Sequence, residues 1–280
     1  SEFDRQQENL SKEEAFIAKF KARASHAAQV QSRIKKLEKI ERIKLPAKED
    51  VMDFEFTVPP RGGDDVVVIK ELTKSFTKSN GKKLIVFENL TTTIKRLDKI
   101  AIVGVNGAGK STFLKIICQQ LKATSGIATL GPSIKLGYFS QYSLEVLRPE
   151  VSAMDEVRLV LTGATDGFLR NLLAVFLFKG DDVHKKVKHL SGGEKSRLVL
   201  AVLLSQNNNL LVLDEPTNHL DLASRVVLLN ALKKYQGTIL FVSHDRHFLQ
   251  ELTAKVYEVD TGSIQIYPGD YNFYLDKKSS

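Results

Sequence analysis

At 280 residues, with 42% hydrophobic and 26% charged residues, the chain has the length and balance of a globular protein that buries a sizeable core. A single cysteine, Cys118, excludes an internal disulfide framework and a cysteine-cluster zinc site; on an apolar helical pattern it reads as a small buried residue. No run of about 18 apolar residues occurs and the start Ser1–Leu10 is polar, so neither a membrane span nor a secretory signal is expected, and the expected compartment is the cytoplasm.

The net charge of +8 is unevenly placed. Between Ser11 and Leu45 ten Lys or Arg stand against four Glu, and from Lys19 to Lys36 there are six basic residues and no acidic one. The same segment holds no Gly or Pro before Pro46, is rich in helix formers, and repeats apolar residues at Phe16, Phe20, Val30, Ile34 and Leu37. It predicts a helical arm over 1–46, either a hairpin turning at Ser25-His26 or a nearly continuous helix. Such an arm buries little of itself and needs a docking surface. A solvated charged face is the plain reading of such a run taken alone. Residues 47–65, with Pro59-Pro60 and Gly62-Gly63, read as a loop linker.

From Val66 the pattern changes. Strand-like runs at Val66–Leu72, Leu84–Phe87, Thr91–Lys95 and Lys99–Val103 lead into a glycine-rich turn and a helix over Lys110–Leu121. Strands are expected at Ile127–Leu130 and Ile134–Phe139, a largely helical insertion over Val151–Lys188, and a helix at Gly193–Ser205. Strands Leu210–Leu213, Thr238–Val242, Val256–Val259 and Ile264–Tyr267 then alternate with helices Ala223–Tyr235 and Arg246–Leu252. This alternation predicts an α/β core with a mainly parallel sheet.

Gly104-Val-Asn106-Gly107-Ala108-Gly109-Lys110-Ser111 fits the phosphate-loop spacing GxxxxGK[ST], after a buried-strand pattern and before a helix, followed by Thr112. Glycines let backbone N–H groups wrap a phosphate, Lys110 reaches the β and γ phosphates, and Ser111 offers its hydroxyl to Mg²⁺. Leu210-Leu-Val-Leu-Asp214-Glu215 is an apolar strand ending in two acids. Alone it is a buried strand with a solvated tip; beside a phosphate loop, Asp214 goes to the Mg²⁺ shell and Glu215 polarises the attacking water.

Leu190-Ser191-Gly192-Gly193-Glu194 alone is a helix start with flexible glycines, yet it lies 80 residues after Ser111 and 23 before Asp214. That order resembles an ATP-binding cassette, with this pentapeptide as its signature motif. The resemblance implies a phosphate-loop NTPase fold with an antiparallel β subdomain and a helical subdomain, here a cassette over 66–278 with the helical part at about 142–190. It implies that Gln141 is the Q-loop glutamine touching Mg²⁺, Asp221 the D-loop aspartate, and His244 the switch histidine on the γ-phosphate. Phe76 is a candidate adenine-stacking ring, with a core position as the alternative. Family logic completes the site with the Ser191-Gly192-Gly193 tip of a second cassette, from a longer chain or a second copy.

The continuations Glu194-Lys-Ser-Arg197, Glu215-Pro-Thr-Asn-His-Leu-Asp221 and Ser243-His-Asp-Arg246, together with the arm, resemble the ABC-F proteins, soluble ATPases that act on ribosomes. This implies ATP and Mg²⁺ as ligands and an inter-cassette linker that approaches transfer RNA or ribosomal RNA through Lys19, Lys21, Arg23, Arg33, Lys35 and Lys36. The family carries two cassettes and one is visible here, so the chain is expected to be the linker and second cassette of a longer protein. The alternative is the ATP-binding subunit of a membrane transporter.

Overall fold

The computed structural model describes residues 58–77, 81–260 and 262–279. The basic arm and most of the linker, and with them Lys19, Lys21, Arg23, Arg33, Lys35 and Lys36, lie outside the described residues.

Two sheets share the core. The first is antiparallel, in the order β2-β1-β4, built from β1 (Asp65–Thr77), β2 (Lys83–Lys95) and β4 (Ser125–Leu130). The two runs expected at Leu84–Phe87 and Thr91–Lys95 are one strand. Asn89 takes a left-handed φ of 52° and donates its N–H to Thr73 Oγ1 (3.0 Å), which bends β2 without breaking it.

The second sheet runs β5-β6-β7-β3-β8-β9, from β3 (Lys99–Val103), β5 (Leu136–Phe139), β6 (Leu210–Asp214), β7 (Thr238–Val242), β8 (Lys255–Asp260) and β9 (Ser263–Tyr267). All neighbours pair in parallel except β9, which pairs antiparallel with β8. The central strands are buried on both faces, which is why they read as continuous apolar runs. Their side chains divide with the period of two. Ile100, Ile102, Leu210, Val212, Leu240 and Val242 face one cluster with helix α1 (Lys110–Ile117) and the antiparallel sheet. Ala101, Val103, Leu211, Leu213, Ile239 and Phe241 face a second cluster with the remaining helices.

Helix α1 stops before the expected Leu121. Gln119 turns left-handed (φ 59°), and Lys115 O accepts from Gln120 N (2.8 Å) and Leu121 N (3.2 Å), a terminating turn. Cys118, the C-cap, is half-buried rather than buried, and burial pushes its thiol up to about 12.

The insertion holds less helix than expected: α2 (Ala153–Val160) and α3 (Asp166–Val175), capped by the Ser152 and Thr165 side chains, followed by short 3₁₀ turns at Gly180–His184 and Val187–His189. Phe176, Phe178, Val183 and Val187 are buried, but their spacing is not that of a helical stripe, and between them the backbone makes only short 3₁₀ turns. Helix α4 (Gly192–Ser205), α5 (Leu222–Lys234) and α6 (Arg246–Leu252) follow the pattern expected for them.

A terminal helix, α7 (Tyr271–Ser279), carries no apolar stripe to announce it. Tyr274 Oη and Tyr267 Oη donate to the two oxygens of buried Glu258 (2.9 and 3.2 Å), and Lys278 Nζ reaches Oε1 at 3.0 Å.

One buried amide ties the incoming linker to the parallel sheet. Asn209 accepts from Lys135 N (2.8 Å) and donates to Pro60 O and Ser133 O (3.0 Å each) just before β6. Asn209→Ala strands a buried N–H and two carbonyls and is expected to cost about 2 kcal/mol, read as a lower urea midpoint at unchanged slope.

Candidate nucleotide site

Parallel strands point their carboxyl ends to one edge, so the loops after β3, β5, β6 and β7 gather there. The phosphate loop leaves β3 at Gly104, whose φ of 142° suits only glycine; a Cβ there would stand 2.1 Å from Val259 O on β8. Lys110, at the first position of α1, is buried and donates from Nζ to Gly104 O (2.9 Å) and Val105 O (3.1 Å), bracing the loop from within.

A cleft of about 340 Å³ opens beside it. One wall is Asn106, Gly107, Gly109, Lys110, Ser111 and Thr112; the other is Asp214, Glu215, Val242 and His244. Residues expected from three separate motifs therefore meet in one cavity. Gly104 lies behind it, and Ala108 packs toward the α1 side of the core.

The acids are held in a low-dielectric setting. Burial pushes the Asp214 carboxyl up, partly offset by the Ser111 hydroxyl bonded to it and by Lys115 and Lys110. Burial also raises Glu215; His244 opposes the shift and Asp214 adds to it. Glu215 adopts φ 54°, a strained position for a non-glycine residue, fixed by its N–H on Val242 O (3.0 Å). Its Oε1 meets His244 Nε2 at 3.1 Å, while its Oε2 is buried with no partner among the described residues. An orphaned acceptor beside a lysine-braced loop fits a site that takes a water and a phosphate group.

Among the described residues no group of three or more His, Cys, Asp or Glu could hold a metal alone. Ser111 and Asp214, which line the same cleft, fit Mg²⁺, which takes one or two protein oxygens and completes its shell with water and phosphate.

In acid both carboxyls are protonated whether folded or not, and nothing is lost. As pH rises through their raised values, the folded protein must ionise buried acids and loses stability. Asp214→Asn is therefore expected to raise the melting temperature of the nucleotide-free protein near neutral pH by on the order of 2 °C, and not in acid. Melting curves with and without Mg²⁺ check this, since the variant should also lose any Mg²⁺-dependent gain.

Signature residues Ser191, Gly192 and Gly193 do not line this cleft. They form the N-terminal tip of α4, closed by a capping box: Ser191 Oγ accepts from Glu194 N (3.2 Å), and Glu194 Oε2 accepts from Ser191 N (2.7 Å). The Glu194 carboxylate is thus turned back on its own helix, a role its S-x-x-E spacing could have announced. Gly193 approaches the loop after β6 so closely that a Cβ would stand 2.7 Å from His219 O.

Asp221 caps α5, accepting from Ser224 N at 2.7 Å; burial would raise it, but Ser224, Arg197 and Arg225 hold it below the usual carboxylate range. Arg197, which no motif singled out for a role, joins the two motifs through Ser224 Oγ (3.0 Å) and Asp221 (3.8 Å).

Gln141 starts a 3₁₀ turn after β5, Gln141–Leu144; its side chain lies outside what is described. Phe76 sits on β1 at 41% exposure with Lys74 Nζ 4.6 Å from its ring centroid, so it is not a core residue.

Sheet order, phosphate loop, acidic strand end and switch histidine together define an ATP-binding cassette of the phosphate-loop NTPase class. Two family models described as ABC transporter match, over residues 87–218 and over residues 1–56. YdiF of Bacillus subtilis, named as an ATP-binding protein, is 40% identical over 278 residues, covering 99% of this chain and 42% of that protein. ABC transporter F family member 5 of Arabidopsis thaliana is 36% identical over 98% of the chain and 40% of its own length. For protein GCN20 of Saccharomyces cerevisiae the figures are 31%, 98% and 36%. The fold is similar to the dimeric ATP-binding cassette MJ0796 in a post-hydrolysis state with ADP and Pi, at a TM-score of 0.61 and 24% identity over 72% of this chain and 98% of that one. The chain belongs to the ABC-F family. It spans about two fifths of the length of the curated relatives it matches.

Proposed function

We propose that this cassette hydrolyses ATP within a pair of cassettes, and that the basic arm carries it to the ribosome as a translation factor. The observation that carries the first half is the meeting of Lys110, Ser111, Asp214, Glu215 and His244 in one cleft. Lys110 and the loop N–H groups bind the triphosphate. Ser111 and Asp214, joined by Gln141, would hold Mg²⁺, which would supply charge neutralisation to the phosphate groups. Phe76 offers a ring for the adenine. Glu215 takes a proton from the attacking water as its oxygen bonds to the γ-phosphorus; the bond to the β,γ-bridging oxygen breaks and ADP carries away that electron pair. His244 orients Glu215 and donates toward the γ-phosphate.

The open face of the cleft supports pairing. The capped tip at Ser191-Gly192-Gly193 leaves first-turn N–H groups to solvent, and a second cassette, in a longer chain or a second copy, can bring such a tip against the γ-phosphate. Asp221 lies beside that tip through Arg197 and joins the contact.

The ribosomal half rests on arm charge and family membership. Among the described residues no helix is long and apolar enough to cross a membrane. Co-sedimentation tests it: the chain should pellet with ribosomes in ATP and not without nucleotide. Equal pelleting in both, or recovery with membranes as a transporter subunit, contradicts it.

A further inference from the structure

A second cleft of about 350 Å³ lies on the far side of the phosphate loop. Its walls include Gly104, Val105, Arg246 on α6, and Tyr271 and Tyr274 on α7. Lys110 and His244 line it as well, and both also line the nucleotide cleft, so these two side chains form the partition between the cavities.

The charge of this rear cleft is one-sided. Its one acid, Glu258, is already satisfied by Tyr274 Oη (2.9 Å), Tyr267 Oη (3.2 Å) and Lys278 Nζ (3.0 Å). Lys110 Nζ sits on the carbonyls of Gly104 and Val105, two residues of the rear wall. Arg246 makes no side-chain hydrogen bond or ion pair among the described residues, although its neighbour Asp245 is engaged by Arg225 at 3.2 Å. Arg246 is exposed on the wall of this cleft, beside the hydroxyls of Ser243 and Tyr271, and an unpaired guanidinium there matches a tetrahedral oxyanion, which it can bind through two parallel N–H donors.

We propose that the rear cleft is a second oxyanion site, which receives inorganic phosphate after cleavage and leads it out past Arg246. This rests on the paired-cassette reading above: with the front of the γ-phosphate covered by the opposing helix tip, the product ion leaves between Lys110 and His244 while ADP stays on the loop. The role is in product release, so Arg246 is a ligand for phosphate and not a participant in bond cleavage.

The test titrates inorganic phosphate into the chain saturated with Mg²⁺ and ADP, following the Arg246 Nε–H and the Tyr271 and Tyr274 signals by NMR. Those signals should move on phosphate addition. Arg246→Ala should weaken phosphate about tenfold with ADP affinity unchanged, and Arg246→Lys, which keeps charge and loses the two-donor fork, should fall between. ADP that binds normally with phosphate effects confined to Ser111 and Thr112, or unchanged phosphate affinity in Arg246→Ala, overturns the rear site alone. Signals that respond to protein concentration in ATP but not to phosphate make the cleft a seat for the second cassette and overturn it too. If ADP itself fails to bind, the nucleotide site falls and the rear site with it.

Discussion

Glu215→Gln is expected to slow ATP turnover by about 10²–10⁴-fold while leaving ATP affinity within a small factor. The substitution keeps the size of the side chain and an oxygen for the His244 contact at 3.1 Å, so the cleft should keep its shape. What it removes is the ability to take a proton from water. In the proposed mechanism the acceptor for that proton is the buried Oε2, which has no partner among the described residues. Glutamine also removes a buried negative charge beside Asp214, which favours binding of an anionic triphosphate if it changes binding at all. Single-turnover phosphate release alongside equilibrium ATP binding separates the two effects. The variant should accumulate the nucleotide-bound pair and pellet with ribosomes more strongly than the wild-type chain. Turnover that survives, or an ATP affinity that falls in step with turnover, contradicts the role given to Glu215.

Neutralising Lys19, Lys21, Arg23, Arg33, Lys35 and Lys36 together is expected to remove most of the salt-sensitive part of ribosome or RNA binding. If all six cations meet phosphates, wild-type affinity should fall on the order of 10³-fold between 50 and 200 mM salt. The neutralised chain should show a nearly flat salt dependence and weak binding throughout. ATP affinity should not change, because the nucleotide cleft is built from residues between Asn106 and His244. Filter binding across a salt series, paired with ATP titration, reads both quantities. A loss of ATP affinity, or an unchanged salt slope, contradicts the division of labour between arm and cassette.

Much of this site is legible in the sequence because its parts are local. Phosphate loop, acidic strand end and switch histidine each follow a buried apolar strand, and an apolar run ending in polar residues shows where a strand stops at the sheet edge. That Asn106–Thr112, Asp214–Glu215 and His244 line one cavity then follows from parallel pairing. Less legible was whatever depends on contacts distant in sequence. Asn209 reads as one of three consecutive asparagines in a loop, yet it bonds to Pro60, 149 residues away. Helix α7 has no apolar stripe and is tied in place by Tyr274 and Lys278, which meet the Glu258 carboxylate on β8. Arg197 could be seen on a helix but not facing Ser224, since that contact depends on how α4 packs on α5. The excess helix expected after Val151 has the same origin: Phe176, Phe178, Val183 and Val187 are buried by tertiary packing around short 3₁₀ turns, which no local pattern separates from a helix.

The central claim is a triphosphate held from two sides, and a crystal structure of the Glu215→Gln chain with Mg²⁺ and ATP tests it most directly. The β and γ phosphate oxygens should lie about 2.7–3.1 Å from Lys110 Nζ and the loop N–H groups, and the γ-phosphate at similar range from the Ser191–Gly193 tip of a second cassette. A triphosphate bound away from Lys110, or one gripped by this cassette with its far side closed by anything other than such a tip, contradicts the account.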